Sequence, residues 1–188
     1  MVGALPRERK KIHPHKFNLW LGIGSIVMMF AGLTSAYIVK RSQAGWVTFE
    51  LPVIFWYSTA AMLLSSLTML IALKNFRDRL MQRYRMMLGF TLLLGFVFIG
   101  LQVLGFTELW RNGITLQASV SYSFLYVIVG LHAAHVLGGI IALLYMLLRG
   151  FSIKEKNYSI VPVELVNTYW HFVGLLWIYL LVFLIMIR

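Results

Sequence analysis

YSFLYVIVGLHAAHVLGGIIALLYMLL, residues 122–148, is twenty-seven residues without a charged side chain. As a helix it spans about 40 Å at 1.5 Å per residue, more than a hydrocarbon core of about 30 Å requires. Four similar runs accompany it, at about 17–39, 52–73, 86–107 and 164–187. Shorter runs would suit buried helices of a soluble core. Five of this length in 188 residues leave too little polar chain to cover them. The expected class is therefore all-α, a polytopic membrane protein built as a bundle of five transmembrane helices.

Charge sets the expected orientation. Arg7, Arg9, Lys10, Lys11 and Lys16 precede the first run; Lys74, Arg77, Arg79, Arg83 and Arg85 cluster around the second connection; Arg149, Lys154 and Lys156 lie in the fourth. The other side holds Lys40, Arg41, Arg111 and Arg188. Cationic loops stay cytoplasmic, so the N-terminus is expected inside and the C-terminus outside, with 1–16 a basic cytoplasmic tail and 17–188 a single transmembrane domain. The net charge of +11 is then a topology signal, with anionic lipid headgroups as its natural counterions, and no nucleic-acid partner is expected. The absence of cysteine excludes disulfides, thiolate metal sites and thiol nucleophiles. The first apolar run is too long for a signal-peptide core, and no convincing cleavage site precedes Lys40 and Arg41, so it reads as a retained span.

Small residues suggest where helices approach. Gly130, Ala134, Gly138 and Ala142 recur every fourth residue, and Gly24, Gly32 and Ala36 fall on a similar line in the first span. Such stripes let backbones come close inside a membrane, so both are expected to be packing faces. Tyr37, Trp46, Trp56 and Tyr57 on one side, and Trp20, Tyr84, Tyr169 and Trp170 on the other, suit interfacial aromatic belts. The connections are expected to be about 12 to 15 residues, too short for a soluble domain.

A polar group inside the hydrocarbon is costly unless paired. His132, His135, His171 and Gln102 fall there, with Glu164 and Glu108 at span ends. Helix rise puts His132 near the midplane and His135 one turn deeper, at a depth comparable to His171, so the last two could meet if their helices are neighbours. Histidine ligates haem and metals. A haem needs a wide gap between facing helices, however, and the small-residue stripe implies tight packing. No carboxylate shares the depth of the histidine pair, which argues against a metal site and against a proton path through this chain alone. Interhelical hydrogen bonding is the favoured role for His132, His135, His171, Gln102, Tyr169, Trp170, Glu164 and Glu108. No catalytic, cofactor-binding or metal-binding residue is expected in this chain.

GLHAAHVLGG (residues 130–139) and YWHFVGLLWIY (169–179) resemble signatures of subunit III of haem–copper terminal oxidases, cytochrome c oxidase subunit III among them. WLGIGSIVMMFAGL (20–33) is similar to that family's W-L-F-x-x-S-E-x-M-x-F-x-G-L segment. LLGFVFIGLQ (93–102), followed by Glu108 and Trp110, is similar to its L-G-x-x-F-x-x-x-Q…E-W segment. The five spans look like the short bacterial form. The resemblance implies an accessory, non-catalytic subunit in the bacterial plasma (inner) membrane that itself carries no haem or copper. It implies packing on the catalytic subunit I beside other oxidase subunits, which hold the haem and copper. A supercomplex with a quinol-oxidising complex, bound phospholipid, and support of proton uptake and stability belong to the same expectation. A quinol oxidase subunit III, or a homologue associated with nitric oxide reductase, is the alternative; a haem-b-binding membrane oxidoreductase and a transporter are more distant ones. Two departures stand out: Ile26 occupies the place of the family's usual intramembrane glutamate, and Gly174 that of a frequent aspartate.

Overall fold

In a computed structural model of the chain, residues 14–42, 46, 51–117, 119–151 and 159–187 are described. The basic residues before Pro14, Lys154, Lys156 and Arg188 lie outside them. Five helices follow in order: α1 Pro14–Arg41, α2 Ile54–Arg77, α3 Met81–Arg111, α4 Val120–Phe151 and α5 Val161–Ile187. No strand occurs among the described residues. All five are long and apolar enough to cross a membrane.

The helices overrun their apolar cores at nearly every end. α4 has 32 residues, a length of about 48 Å, which carries both ends into the headgroup region. Apolarity reports the hydrocarbon-embedded part of a helix, not its hydrogen-bonded length. The connections shorten accordingly. Only Asp78, Arg79 and Leu80 separate α2 from α3, against the 12 to 15 residues expected. Arg79 adopts a left-handed φ of 60°. Its N–H donates to the Phe76 carbonyl, and the Asp78 and Leu80 N–H groups donate to Lys74 and Asn75 carbonyls. Orphan carbonyls at the end of α2 are thereby satisfied, which stops the helix and turns the chain.

Helix α5 touches α1, α2 and α4; α3 touches α2 and α4; α1 touches α4 and α5. The backbones of α1 and α2 do not approach each other. A gap therefore runs between them, floored by α5. Lipid-like exteriors provide no hydrophobic drive between helices, so side-chain interlock and interhelical hydrogen bonds must hold the bundle. The hydroxyls of α2 supply many of these bonds. Thr68 and Thr91 hydroxyls lie 2.8 Å apart. Trp170 Nε1–H donates to Ser65 Oγ at 2.7 Å, and Trp177 Nε1–H donates to Thr59 Oγ1 at 2.9 Å.

Trp170 is the central wedge of the bundle. It is fully buried, although its sequence position suggested an interfacial belt. A Cβ on Gly139 would sit 2.9 Å from its ring, and one on Gly95 would sit 3.0 Å from it. Two glycines on α3 and α4 thus make the slot that the indole fills, while Ser65 satisfies its N–H. Tyr37 and Tyr84 are buried as well. Tyr37 packs edge-on against Trp46, Phe124 and Phe183. Trp20, Trp56 and Tyr57 remain exposed, as a belt requires.

The small-residue stripes do not pack within this chain. Gly24, Gly32 and Ala36 of α1, and Gly130, Ala134 and Gly138 of α4, are exposed, and Ala142 is half-buried. A Cβ on Gly24, Gly32 or Gly130 would meet nothing within 4 Å, and one on Gly138 would find only Tyr169 Oη at 3.8 Å. These faces point outward from the chain. The close internal contacts fall on Gly95, Gly105, Gly139 and Gly174 instead.

Candidate functional site: a buried histidine box and a gap between two helices

His132 lies on the buried face of α4, flanked by Val129 and Val136. It is completely buried. Its ring stacks on Trp177 with centroids 5.1 Å apart, and meets Phe98 and Phe30 edge-on at 6.0 and 6.5 Å. Both ring nitrogens lack a hydrogen-bond partner among the described residues. The imidazole is thus packed as an aromatic ring among aromatics drawn from α1, α3 and α5. The interhelical hydrogen bond expected of it is not made there.

His135 turns toward α1. Its ring lies 5.8 Å from that of Phe30, and its Nδ1–H donates to the Leu131 carbonyl at 2.7 Å. His171 turns the other way, toward α2, where it lines a groove with Thr59, Met62, Ser66 and Gly174. The two histidines share a depth but not a side, so the structure does not bring them together. The bridge between their helices is made by Tyr169, whose hydroxyl donates to the His135 carbonyl at 3.0 Å. Gln102 behaves as expected of an interhelical polar residue: its Nε2–H donates to Ser58 Oγ at 3.1 Å, while Oε1 has no partner among the described residues. Glu108 is exposed near the far end of α3.

Glu164 joins three helices. One carboxylate oxygen accepts from Lys16 Nζ of α1 at 2.8 Å, and the other accepts from an Arg77 guanidinium nitrogen of α2 at 3.1 Å. This closes one end of the α1/α2 gap. Behind it lies a cavity of about 310 Å³ bounded by Trp20, Leu73, Asn167 and Thr168 besides the three charged residues. Farther along α5 the groove at His171 opens another 310 Å³, walled by leucines of α2 and by Leu175 and Ile178. Gly174 widens it: a Cβ there would approach Ser66 Oγ to 3.3 Å. Where α5 meets α1, the Tyr179 and Thr34 hydroxyls lie 3.0 Å apart.

Sequence reasoning did not single out Trp177, Phe30 and Phe98 around His132, nor the α2 hydroxyls. The run STAAMLLSSLT in α2 carries the missed signal. Hydroxyls at 58, 59, 65 and 68 in an apolar span need partners, and the two indoles of α5 provide two of them.

Among the described residues, no group of three or more His, Asp or Glu is placed to hold a metal ion. The fold defines a five-helix, multi-pass membrane protein. A profile of the family described as cytochrome c oxidase subunit III matches residues 42–187, and the chain belongs to that family. It is similar to cytochrome c oxidase subunit 3 of Bacillus sp. (strain PS3), 27% identical over 87% of this chain and 81% of that protein. It is also similar to the probable quinol oxidase subunit 3 of Staphylococcus haemolyticus (strain JCSC1435), 27% identical over 88% and 85%. The probable cytochrome c oxidase subunit 3 of Nocardia farcinica (strain IFM 10152) is 31% identical over 85% and 80%. The protein is therefore a multi-pass component of a bacterial plasma membrane, an accessory subunit III of a respiratory oxidase complex.

Proposed function

We propose that this chain packs beside the haem- and copper-bearing subunit I of a terminal oxidase, carries no haem or copper itself, and serves as a scaffold and lipid holder. The family match over residues 42–187 carries the reading. Relatives named for cytochrome c and for quinol as donor match at the same 27% identity, so the scaffold role is common to oxidases of either donor.

Three features of the chain support the details. Its outward small residues, Gly130, Ala134 and Gly138 on α4 and Gly24, Gly32 and Ala36 on α1, offer a smooth face for a partner's helices. The α1/α2 gap suits a phospholipid: Lys16 and Arg77 with Trp20 at the headgroup level, then a leucine-lined groove for an acyl chain. The basic ends of α2, α3 and α4 lie together with the start of α5, and the positive-inside rule puts that end in the cytoplasm. Support of proton uptake would then act through this subunit's contacts and lipid, because no carboxylate lies at mid-depth and Ile26 and Gly174 stand where the family's carboxylates usually do.

The test is purification of the tagged chain in mild detergent. The expected outcome is a complex with larger subunits that carry the haem spectrum. Recovery of the chain alone with its own haem Soret band would overturn the reading and favour a haem-b membrane oxidoreductase.

A further inference from the structure

The first third of α1 stands apart from the packing that holds the rest of the helix. The buried residues of α1 are Ile23, Phe30, Thr34 and Tyr37; none lies in residues 14–22. The later part is anchored by the Phe30 contacts with His132 and His135, the Thr34–Tyr179 hydroxyl pair, and the aromatic cluster around Tyr37. The early part joins the bundle at the Lys16–Glu164 ion pair, beside a cavity that Leu19 and Trp20 also line.

The boundary carries residues that favour bending. Gly22, Gly24 and Ser25 follow one another around Ile23, and the Ser25 hydroxyl donates back to the Gly22 carbonyl at 2.7 Å. Gly–Ser pairs and serine back-bonding are established causes of helix bending. Nothing lies within 4 Å of a Cβ at Gly22 or Gly24, so neither glycine is required for close packing inside the chain.

We propose that residues 14–22 form a flap, hinged at Gly22–Ser25 and strapped shut by the Glu164 carboxylate, which gates lateral entry into the α1/α2 gap. Glu164 suits a strap because each of its oxygens holds a cation from a different wall: Lys16 of the flap and Arg77 of α2. The backbones of those walls do not meet. Both cations are about half exposed, and ion pairs of that exposure are weak enough to break and re-form readily. Without the carboxylate, Lys16 and Arg77 would face each other as uncompensated like charges, which favours the open flap. From Gly22 to Lys16 the arm is about 9 Å, so a bend of about 20° moves its tip by about 3 Å. That widens a slot to the passage of an acyl chain. The gate's cargo rests on the lipid reading above; the motion does not.

The chain has no cysteine, so a pair of introduced cysteines carries the only spin labels on this subunit of the purified oxidase complex, and labelled complex without the introduced pair supplies the background from other subunits. One pair, Phe17→Cys with Ile71→Cys, spans the strapped end; a second, Ile38→Cys with Tyr57→Cys, spans the far end. All four side chains are exposed. The expected result of Glu164→Gln is an inner-pair distance distribution broadened and lengthened by about 3 Å, with the outer pair unchanged. Lys16→Gln is expected to act alike, and it serves if Glu164→Gln fails to assemble. Adding Gly22→Ala and Gly24→Ala should narrow the distribution again by stiffening the hinge. An inner-pair distribution unaltered by both strap variants would overturn the flap. Lipid counted by mass spectrometry in the same samples separates the two ideas. Opening with faster loss of bound phospholipid on detergent washing supports both. Opening in a complex that never held phospholipid leaves a flap but overturns its role as a lipid gate.

Discussion

Both nitrogens of His132 are buried without a partner among the described residues, and that sets a measurable expectation. An unpaired buried polar group costs about 1–3 kcal/mol. Phenylalanine keeps a planar ring for Trp177, Phe98 and Phe30 to pack against and removes both nitrogens. His132→Phe is therefore expected to match or exceed the native chain in thermal unfolding followed by helicity in a single detergent, and the complex should keep its full haem and copper content. A loss beyond about 2 kcal/mol would show that the nitrogens do hold a partner, such as an internal water. The adjacent glycines of α4 give a sharper contrast. Gly139→Ala drives a methyl to 2.9 Å from a Trp170 ring that sits in a slot with no spare room at Gly95 either, at a cost of about 1–3 kcal/mol. Gly138→Ala meets only Tyr169 Oη at 3.8 Å and should change the same melting curve by no more than about 0.5 kcal/mol. The sequence could not rank these two. Their residue type is identical and they differ by 100° of helix rotation, which is set by the neighbours and not by the local chain.

Each helix was legible as an element because length and apolarity are what a bilayer demands. Which face each helix buries was not. In a soluble bundle the polar face marks the outside, but here the lipid-facing side is as apolar as the core, and no amphipathic stripe records the difference. Small residues marked faces of α1 and α4 that do not pack within the chain, while the informative marks for its internal contacts were hydroxyls and indoles. Ser65 tests this. Ser65→Ala removes the acceptor of a fully buried Trp170 N–H and should cost about 1–3 kcal/mol. In a double-mutant cycle with Trp170→Phe, the two losses should fall well short of adding, since the phenyl ring has no donor to strand. Additive losses would mean that the hydrogen bond contributes nothing. The turn after α2 makes a milder case. Arg79 holds a left-handed φ of 60° at the position where helices commonly end on glycine. Arg79→Gly should therefore stabilise the hairpin by up to about 1 kcal/mol, read as a rise in the same melting temperature.

At the scale of the molecule, one end collects more charge than the other. Lys16, Arg77 and Glu164 meet at the end where α2 turns into α3, and Arg85 lies over the Phe151 ring at the close of α4. Asn112 caps α3 at the opposite end, and α3 is 31 residues long, so the two ends lie about 45 Å apart. That exceeds the hydrocarbon thickness, and the ends must open on different aqueous spaces. Single cysteines replacing Arg79 and Asn112 should thus label from opposite faces with a membrane-impermeant maleimide. The positive-inside rule further requires Asn112→Cys to label in intact spheroplasts and Arg79→Cys only in inverted vesicles. Labelling from one face would break the five-span fold. Labelling with the two faces exchanged would keep the fold but reverse its direction. The strapped mouth of the α1/α2 gap would then open to the outer leaflet, and any phospholipid held there would have to come from that leaflet rather than from the cytoplasmic one.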